Sequence, residues 1–321
     1  MKLIKKILLG IILIPVFLIA AIFTLLGYLK YRNAHYWKYA EPAGEVEKKY
    51  TAFGDYAVSQ AEFAADNAAF EKYEIWYPSE MAENNCAYPL VVIANGTGVT
   101  ASQYKEVFRH LASWGFIVIG NEDANCRTGA SSAATLDFIL GLNEEPGSIF
   151  CGRIDRDKIG IAGHTQGGVG AINAVTAQEN GTLYRAVFAA STTSPLFADK
   201  NILGAQWQYD MSRITIPCFM VAGTGKGDAG TAADKTTPEG QGICPLWSLT
   251  ENYHTIPDTV DKVMARRVGK DHGDMLRYAD GYMTAWFMYY LKGDAQAGTA
   301  FFGNNAEILN NANWQDVEKN R

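Results

Sequence analysis

The segment that most constrains the fold of this chain is residues 159–170, which read IGIAGHTQGGVG. An apolar run ends in a short glycine-bounded turn, and a second run of small residues begins directly after it. The first run has the composition of a buried strand and the second that of a helix. Gly163 and Gly167 flank the turn, where a strand that passes so abruptly into a helix leaves no room for larger side chains. The segment therefore predicts a strand and a helix whose backbones nearly touch.

The rest of the chain repeats this alternation of strand and helix. Residues 89–94 form a continuous apolar run of the length expected for a strand buried on both faces. Such alternation predicts an α/β fold, with a mostly parallel central sheet covered by helices on both faces and ligands bound beyond the carboxyl ends of the strands. The other predicted strands are residues 72–78, 116–119, 158–162, 184–190, 216–222 and 259–268, and the predicted helices are residues 102–114, 131–142 and 274–291.

The N-terminal region predicts a membrane segment. Residues 7–29 are almost all apolar, and a helix of that length rises about 35 Å, enough to cross a bilayer core of about 30 Å. The predicted layout is a short basic tail (1–6), a transmembrane helix or signal anchor (7–29), a polar stalk (30–50) and one large α/β domain (51–321). Lysines precede the segment and basic residues also follow it. A lysine cluster on so short a tail favours the N-terminus inside and the domain outside the cytoplasm; a buried core helix is the alternative.

Charge and cysteine content narrow the function classes. The net charge is −6 and the pI is about 5.5, so there is no basic stripe to bind nucleic acid. The five cysteines form no C-x-x-C pair and no zinc-type spacing, which predicts no metal site. If the domain is extracytoplasmic, Cys126 with Cys151 and Cys218 with Cys244 are candidate disulfides.

Residues 163–167 carry the first chemical signal. Their pattern is the G-x-S-x-G of a nucleophile elbow with threonine in the serine position, which makes Thr165 the candidate nucleophile. A hydroxyl nucleophile needs a base and an orienting acid, and in folds of this type the acid precedes the histidine along the chain. Asp228 lies on a glycine-rich loop after the 216–222 strand, and His272 lies on the loop after the 259–268 strand. Asp234 and Glu239 are the alternative acids.

An acyl-transfer site also needs donors for the negative charge that develops on the carbonyl oxygen. The backbone N–H of Gln166, at the start of the helix after the turn, is one predicted donor. The second is predicted in the loop after the 89–94 strand, where the backbone N–H of Thr97 is the candidate. His164 is expected to point away from the nucleophile and to serve packing.

With these segments the chain resembles the α/β-hydrolase superfamily, and within it the branch of poly(ethylene terephthalate) hydrolases, cutinase-like lipases and chlorophyllase-like esterases, related to dienelactone hydrolases. The resemblance implies a carboxylic-ester hydrolase with Thr165 as nucleophile, His272 as base, Asp228 as acid, and the amides of Thr97 and Gln166 as oxyanion hole. It implies no metal or organic cofactor and a small-molecule or lipid-like ester substrate. The segments that carry the resemblance are residues 89–98, 110–116, 159–168, 271–274 and 284–294.

Two departures from the family pattern affect the function. Residues 226–253 make a longer connection between acid and histidine than the family has, which suggests a flap over the site. Thr165 is β-branched at a turn that needs a positive φ, which predicts strain and weak esterase activity that rises on Thr165→Ser. The alternatives are a non-catalytic binding protein with the same fold, or a serine-to-threonine substitution introduced to trap a substrate complex. A dehydrogenase is excluded because no G-x-G-x-x-G opens a helix after the first strand.

Overall fold

The computed structural model describes residues 2–200, 202–237 and 239–321, with side chains described from residue 13 onward. Two compact units are present, Met1–Glu41 and Pro42–Arg321. The first unit consists of helix α1 (Lys2–Ala34), which includes Pro15, and a short 3-10 helix at Tyr36–Lys38. Its part Leu13–Ala34 is long and apolar enough to cross a membrane, a test that signal sequences also pass. The predicted 7–29 segment lies inside α1, which is longer at both ends.

In the residues that the structure describes, the second unit is built on a nine-stranded sheet in the order β1-β2-β4-β3-β5-β6-β7-β8-β9. The six strands from β4 to β8 in that order pair in parallel, while β1, β2 and β9 add antiparallel pairs at the two sides. The predicted mostly parallel α/β-hydrolase sheet is confirmed. The strands are β1 (Val58–Asn67), β2 (Phe70–Pro78), β3 (Tyr88–Ala94), β4 (Ile117–Asn121), β5 (Ile154–His164), β6 (Tyr184–Ala190), β7 (Cys218–Gly223), β8 (Lys262–Arg267) and β9 (Trp314–Lys319).

Helices cover the sheet, and two of the predicted ones are interrupted. The predicted 102–114 helix begins as a 3-10 turn before α3, and the predicted 274–291 helix divides into α9 and α10 at Ala279. The helices of this unit are α2 (Glu45–Thr51), α3 (Lys105–Ser113), α4 (Ala130–Glu144), α5 (Gln166–Thr176), α6 (Leu196–Asp199), α7 (Lys226–Ala229), α8 (Leu246–Thr255), α9 (Met275–Tyr278), α10 (Asp280–Lys292), α11 (Ala295–Gly298) and α12 (Glu307–Asn310).

The predicted stalk of residues 30–50 differs from the structure, since α2 belongs to the folded unit, which begins at Pro42. Val46 and Tyr50 are buried on one face of this short helix. The carboxylate of Glu307 accepts the backbone N–H groups of Val46 (2.7 Å) and Glu47 (2.9 Å), and so caps the free N-terminal donors of α2. Two apolar residues four apart in a charged stretch were too weak a signal to distinguish this helix from a linker.

The five cysteines are free thiols. The two candidate disulfides are therefore not formed. Cys126, Cys218 and Cys244 are buried, whereas Cys151 is exposed.

The turn between β5 and α5 is as tight as its glycines predict. A Cβ on Gly163 would overlap the carbonyl oxygen of Gly167, and a Cβ on Gly167 would overlap that of Ala94 in β3. These neighbours are backbone atoms of α5 and of the central sheet and cannot rotate aside. The close approach fixes where Thr165, the middle residue of the turn, must lie.

We expect Gly163→Ala to lower the free energy of unfolding by about 3 kcal/mol, because the added methyl group must displace backbone in a packed core. Gly141→Ala is the matched control, since Gly141 lies inside α4 with open space around its missing Cβ. It should raise the free energy of unfolding by about 0.5–1 kcal/mol. Urea denaturation measures both, and equal midpoints for the two variants would contradict the packing argument.

Candidate active site

Thr165 stands between β5 and α5 with φ 54° and ψ −113°. The positive φ expected at the turn is therefore present, and for a β-branched residue it costs on the order of 1–3 kcal/mol. The backbone N–H of Thr165 donates to the carbonyl of Ala190 at 2.9 Å, which ties the turn to the end of β6. The residue is only 8% exposed. The fold thus holds the hydroxyl of Thr165 at the carboxyl edge of the sheet, on a strained backbone.

The side chain of Thr165 is turned toward another threonine. Its Oγ1 lies 3.5 Å from Oγ1 of Thr193, in the loop after β6, and it makes no hydrogen bond with His272 among the residues that the structure describes. Its methyl carbon lies 3.0 Å from where a Cβ on Gly96 would be, beside the loop after β3. In this rotamer the hydroxyl is not aligned with a base. His272 can accept the proton only when the hydroxyl lies within hydrogen-bond distance of its ring nitrogen.

Asp228 and His272 form a close pair. Nδ1 of His272 lies 2.7 Å from Oδ1 of Asp228. The carboxylate is fully buried, while 26% of the imidazole side chain is exposed. This pair joins the loop after β7 to the loop after β8, and leaves the other ring nitrogen of His272 available for a second partner.

The second oxygen of Asp228 is held as well. Oδ2 accepts the backbone N–H of Gly223 at 2.7 Å and the hydroxyl of Ser191 at 2.5 Å. Ser191 follows β6 directly and has φ 47°, a conformation rare for a residue with a side chain. With both oxygens engaged, the carboxylate has one orientation toward the histidine.

His164 precedes the nucleophile position and contacts the histidine loop. Because a carbonyl only accepts, Nε2 of His164 donates to the backbone oxygen of His272 at 2.6 Å. Burial, and secondarily the charge of His272, lower the pKa of His164 from 6.5 to about 4. His164, which was expected to serve packing, therefore also links the turn at Thr165 to the loop of His272 by a hydrogen bond.

The lowered pKa of His164 gives stability a pH dependence. The unfolded chain binds a proton near pH 6.5 whereas the folded chain does so near pH 4, so the contribution of the neutral ring is complete above 6.5 and is lost as pH falls toward 4. We expect a loss of about 3 kcal/mol over that range. His164→Gln, which keeps a donor, should remove this component in urea denaturation at pH 7 and pH 4.5. An unchanged difference between the two pH values would contradict the assignment.

The two predicted oxyanion donors lie on different elements, one at the start of a helix and one in a loop. Gln166 begins α5 and is 1% exposed, while Thr97 is exposed in the loop after β3. Within the described part of the chain neither backbone N–H has an acceptor. The neighbouring Gly96 N–H does have one, since it donates to the phenol oxygen of Tyr104 at 3.2 Å. Both amides are therefore unengaged donors at this edge of the sheet.

The alternative acids are not paired with His272. Asp234 and Glu239 are exposed, and Asp234 accepts hydrogen bonds from Thr236 and Thr237 in its own turn. The long connection contains α7, a bridge between Gly230 and Gln241, and α8. Its role as a flap stays a prediction. In the described residues no three His, Cys, Asp or Glu side chains cluster as a metal site.

Sequence reasoning missed Ser191 and Asp271 as partners of this pair. Ser191 is the first residue after β6, so its place at the carboxyl edge could have been noted, but nothing in the sequence indicates that its hydroxyl faces Asp228. Asp271 stands beside His272, and its carboxylate accepts backbone N–H groups of the two loops that carry Asp228 and His272. Only the fold shows that these loops meet.

The family comparison covers most of this architecture. A family model described as PET hydrolase-like matches residues 38–230, more than half of the chain, and the match includes the turn at Thr165 and Asp228 but ends before His272. No curated relative matches the chain. The family suggests a hydrolase that acts on ester bonds and a small-molecule ester as substrate. This chain belongs to the PET hydrolase-like family.

Proposed function

We propose that this protein is a membrane-anchored carboxylic-ester hydrolase that works through an acyl-enzyme on Thr165. His272 is the general base and acid, Asp228 orients it, and the backbone amides of Thr97 and Gln166 stabilise the oxyanion. The observation that carries the proposal is the 2.7 Å pair of His272 with a fully buried Asp228. The backbone oxygen of His272 also accepts a hydrogen bond from His164, which directly precedes Thr165.

In the first half-reaction Oγ1 of Thr165 attacks the ester carbonyl carbon while Nε2 of His272 takes its proton. Asp228 accepts a hydrogen bond from the Nδ1–H of the resulting imidazolium, stays ionised, and stabilises the positive charge of the ring. The carbonyl π electrons move to the oxygen, which becomes the oxyanion facing the two amides. When the intermediate collapses, the bond to the alkoxy group breaks and His272 protonates the leaving alcohol.

The second half-reaction repeats these roles with water. His272 removes a proton from water, the hydroxide attacks the acyl-threonine, and the carboxylic acid leaves as Thr165 regains its proton. No redox step occurs, and the reaction as proposed requires only the ester and water. The chain's own residues supply every proton transfer.

Turnover is expected to be slow. The hydroxyl of Thr165 pairs with Thr193, its methyl group lies beside the loop that carries Thr97, and its backbone is already strained. A barrier raised by about 2.7 kcal/mol corresponds to a hundredfold loss of rate. The test is release of p-nitrophenolate from p-nitrophenyl butyrate by the full chain in detergent, which should be slow but measurable and should vanish in Thr165→Ala.

A second candidate function is ligand binding without turnover. It is favoured by the contact between Thr165 and Thr193, which leaves the nucleophile without its base. Saturable binding of p-nitrophenyl butyrate, with no hydrolysis by either the threonine or the serine form, would support it. The engaged Asp228–His272 pair argues for catalysis instead.

The membrane part of the proposal rests on α1. We assign the apolar segment to a retained single-pass anchor with the catalytic unit outside the cytoplasm. Lys2, Lys5 and Lys6 precede it, as in a signal anchor. Alkaline extraction should leave the full-length chain in the membrane pellet, and protease added outside intact cells should degrade the second unit. Recovery of a soluble, shortened chain would identify a cleaved signal sequence.

A further inference from the structure

We propose that Asp271 is a positioning residue whose carboxylate holds two loops at a fixed separation. These are the loop after β7 that carries Asp228 (the acid loop) and the loop after β8 that carries His272 (the histidine loop). The inference rests on the proposed function and adds to it a residue that touches neither substrate nor the reacting atoms. Asp271 precedes His272 and lies in a different part of the sequence from Asp228.

Three backbone groups converge on this carboxylate. Oδ1 accepts the N–H of Asp228 at 3.0 Å and the N–H of His272 at 2.7 Å. Oδ2 accepts the N–H of Gly227 at 3.1 Å. One oxygen atom therefore accepts hydrogen bonds from the backbones of both members of the Asp228–His272 dyad. This fixes the separation of the two backbones independently of the hydrogen bond between their side chains.

The charge of Asp271 strengthens these bonds. Burial by itself would raise its pKa, but the N–H groups of His272, Gly227 and Asp228 outweigh burial, and the pKa of Asp271 lies below its ordinary value of 3.8. The group is thus a carboxylate at neutral pH. Hydrogen bonds to an ionised acceptor are roughly twice as strong as those between neutral groups.

The surrounding backbone is shaped around the carboxylate. A Cβ on Gly225 would lie 2.5 Å from the carboxyl carbon of Asp271, and a Cβ on Gly227 would lie 2.7 Å from Oδ1. Only glycines let the acid loop approach this closely. Asp271 itself is held by a capping box, in which its own N–H donates to Oδ2 of Asp274 at 3.1 Å.

Loss of the Asp271 carboxylate should slow catalysis, because Asp228 and His272 would no longer be held in place. The Nδ1 to Oδ1 distance of 2.7 Å joins residues on two loops, and a displacement of about 1 Å in such a group can cost up to a hundredfold in rate. The substrate makes no contact with Asp271 in this scheme, so KM should be spared while kcat falls.

The kinetic test uses the full chain carrying Thr165→Ser, so that turnover is measurable. Asp271→Ala should lower kcat for p-nitrophenyl butyrate about 30-fold with KM within about twofold. Asp271→Asn keeps Oδ1 as acceptor for Asp228 and His272, and should lose only about threefold. Asp210→Ala is the matched control, because Asp210 caps an exposed turn through the N–H of Ser212 at 2.9 Å; its kcat should stay within about twofold.

A second measurement does not depend on turnover. Hydrogen-bonded to a carboxylate, the Nδ1 proton of His272 should give a far-downfield proton NMR signal in the chain with Thr165 and in Asp210→Ala, and that signal should broaden away in Asp271→Ala. A kcat for Asp271→Ala equal to its parent, or a retained signal, overturns the positioning role. If the serine form shows no hydrolysis at all, the proposed function fails, and the NMR signal still decides the role of Asp271.

Discussion

Replacing Thr165 with serine is expected to raise kcat for p-nitrophenyl butyrate about 100-fold in the full chain. Serine removes the methyl group that lies beside Gly96 and adopts the φ of 54° with less strain than a β-branched residue. Its hydroxyl is also free to leave Thr193 and turn toward His272. Relief of about 2.7 kcal/mol in the barrier corresponds to that hundredfold gain.

Initial rates of p-nitrophenolate release at pH 8 give this comparison directly, with Thr165→Ala as the control that keeps the turn but removes the hydroxyl. The expected order of rates is serine, then threonine, then alanine at the background rate. If Thr165→Ser is as inactive as Thr165→Ala, residue 165 is not a nucleophile, and the binding function becomes the better account.

The second large expected effect is the loss of kcat when either member of the Asp228–His272 dyad is replaced. In the Thr165→Ser background, Asp228→Asn should lower kcat about 10⁴-fold, because an amide in place of the carboxylate no longer holds the imidazole with Nε2 as the base. His272→Gln should lose at least as much, since it removes the group that moves the proton. Losses of residues that act as a unit do not add, so the double variant should resemble the worse of the two.

Asp234→Asn is the control for Asp228→Asn, since Asp234 is an exposed aspartate on the same long connection. Its kcat should remain within about twofold of the parent. A large loss in Asp234→Asn together with a small one in Asp228→Asn would mean that the acid loop rearranges before catalysis, and would contradict the assignment of Asp228.

The turn at Thr165 and the two loops that carry Asp228 and His272 could be predicted from sequence because each has a local signal. Gly163 and Gly167 mark a close approach of backbones. Asp228 follows an apolar strand and His272 follows another predicted strand, each in a loop that contains glycines. The rotamer of Thr165 has no such signal. It depends on Thr193 and Gly96, which meet it only when β3, β5 and β6 lie side by side. The contacts of Ser191 and Asp271 are equally non-local.

Strands β1 and β9 and helix α2 were not predicted from the sequence, for a different reason. Strand β1 alternates between exposed and half-buried positions at the edge of the sheet, and β9 reads WQDVEK, so neither carries an apolar run. Helix α2 looks like part of a polar linker until Glu307, far along the chain, caps it. In these segments tertiary partners supply the stability that local propensity lacks.

The most direct test of the central claim is covalent labelling by a p-nitrophenyl alkylphosphonate, followed by peptide mass mapping of the full chain. An attacking hydroxyl displaces p-nitrophenolate and forms a stable phosphonate ester. The account predicts a single adduct on residue 165, formed slowly in the threonine form and rapidly in Thr165→Ser, and absent from Thr165→Ala. Equal labelling of Thr165→Ala, or an adduct at another residue, would contradict the claim that Thr165 is the nucleophile.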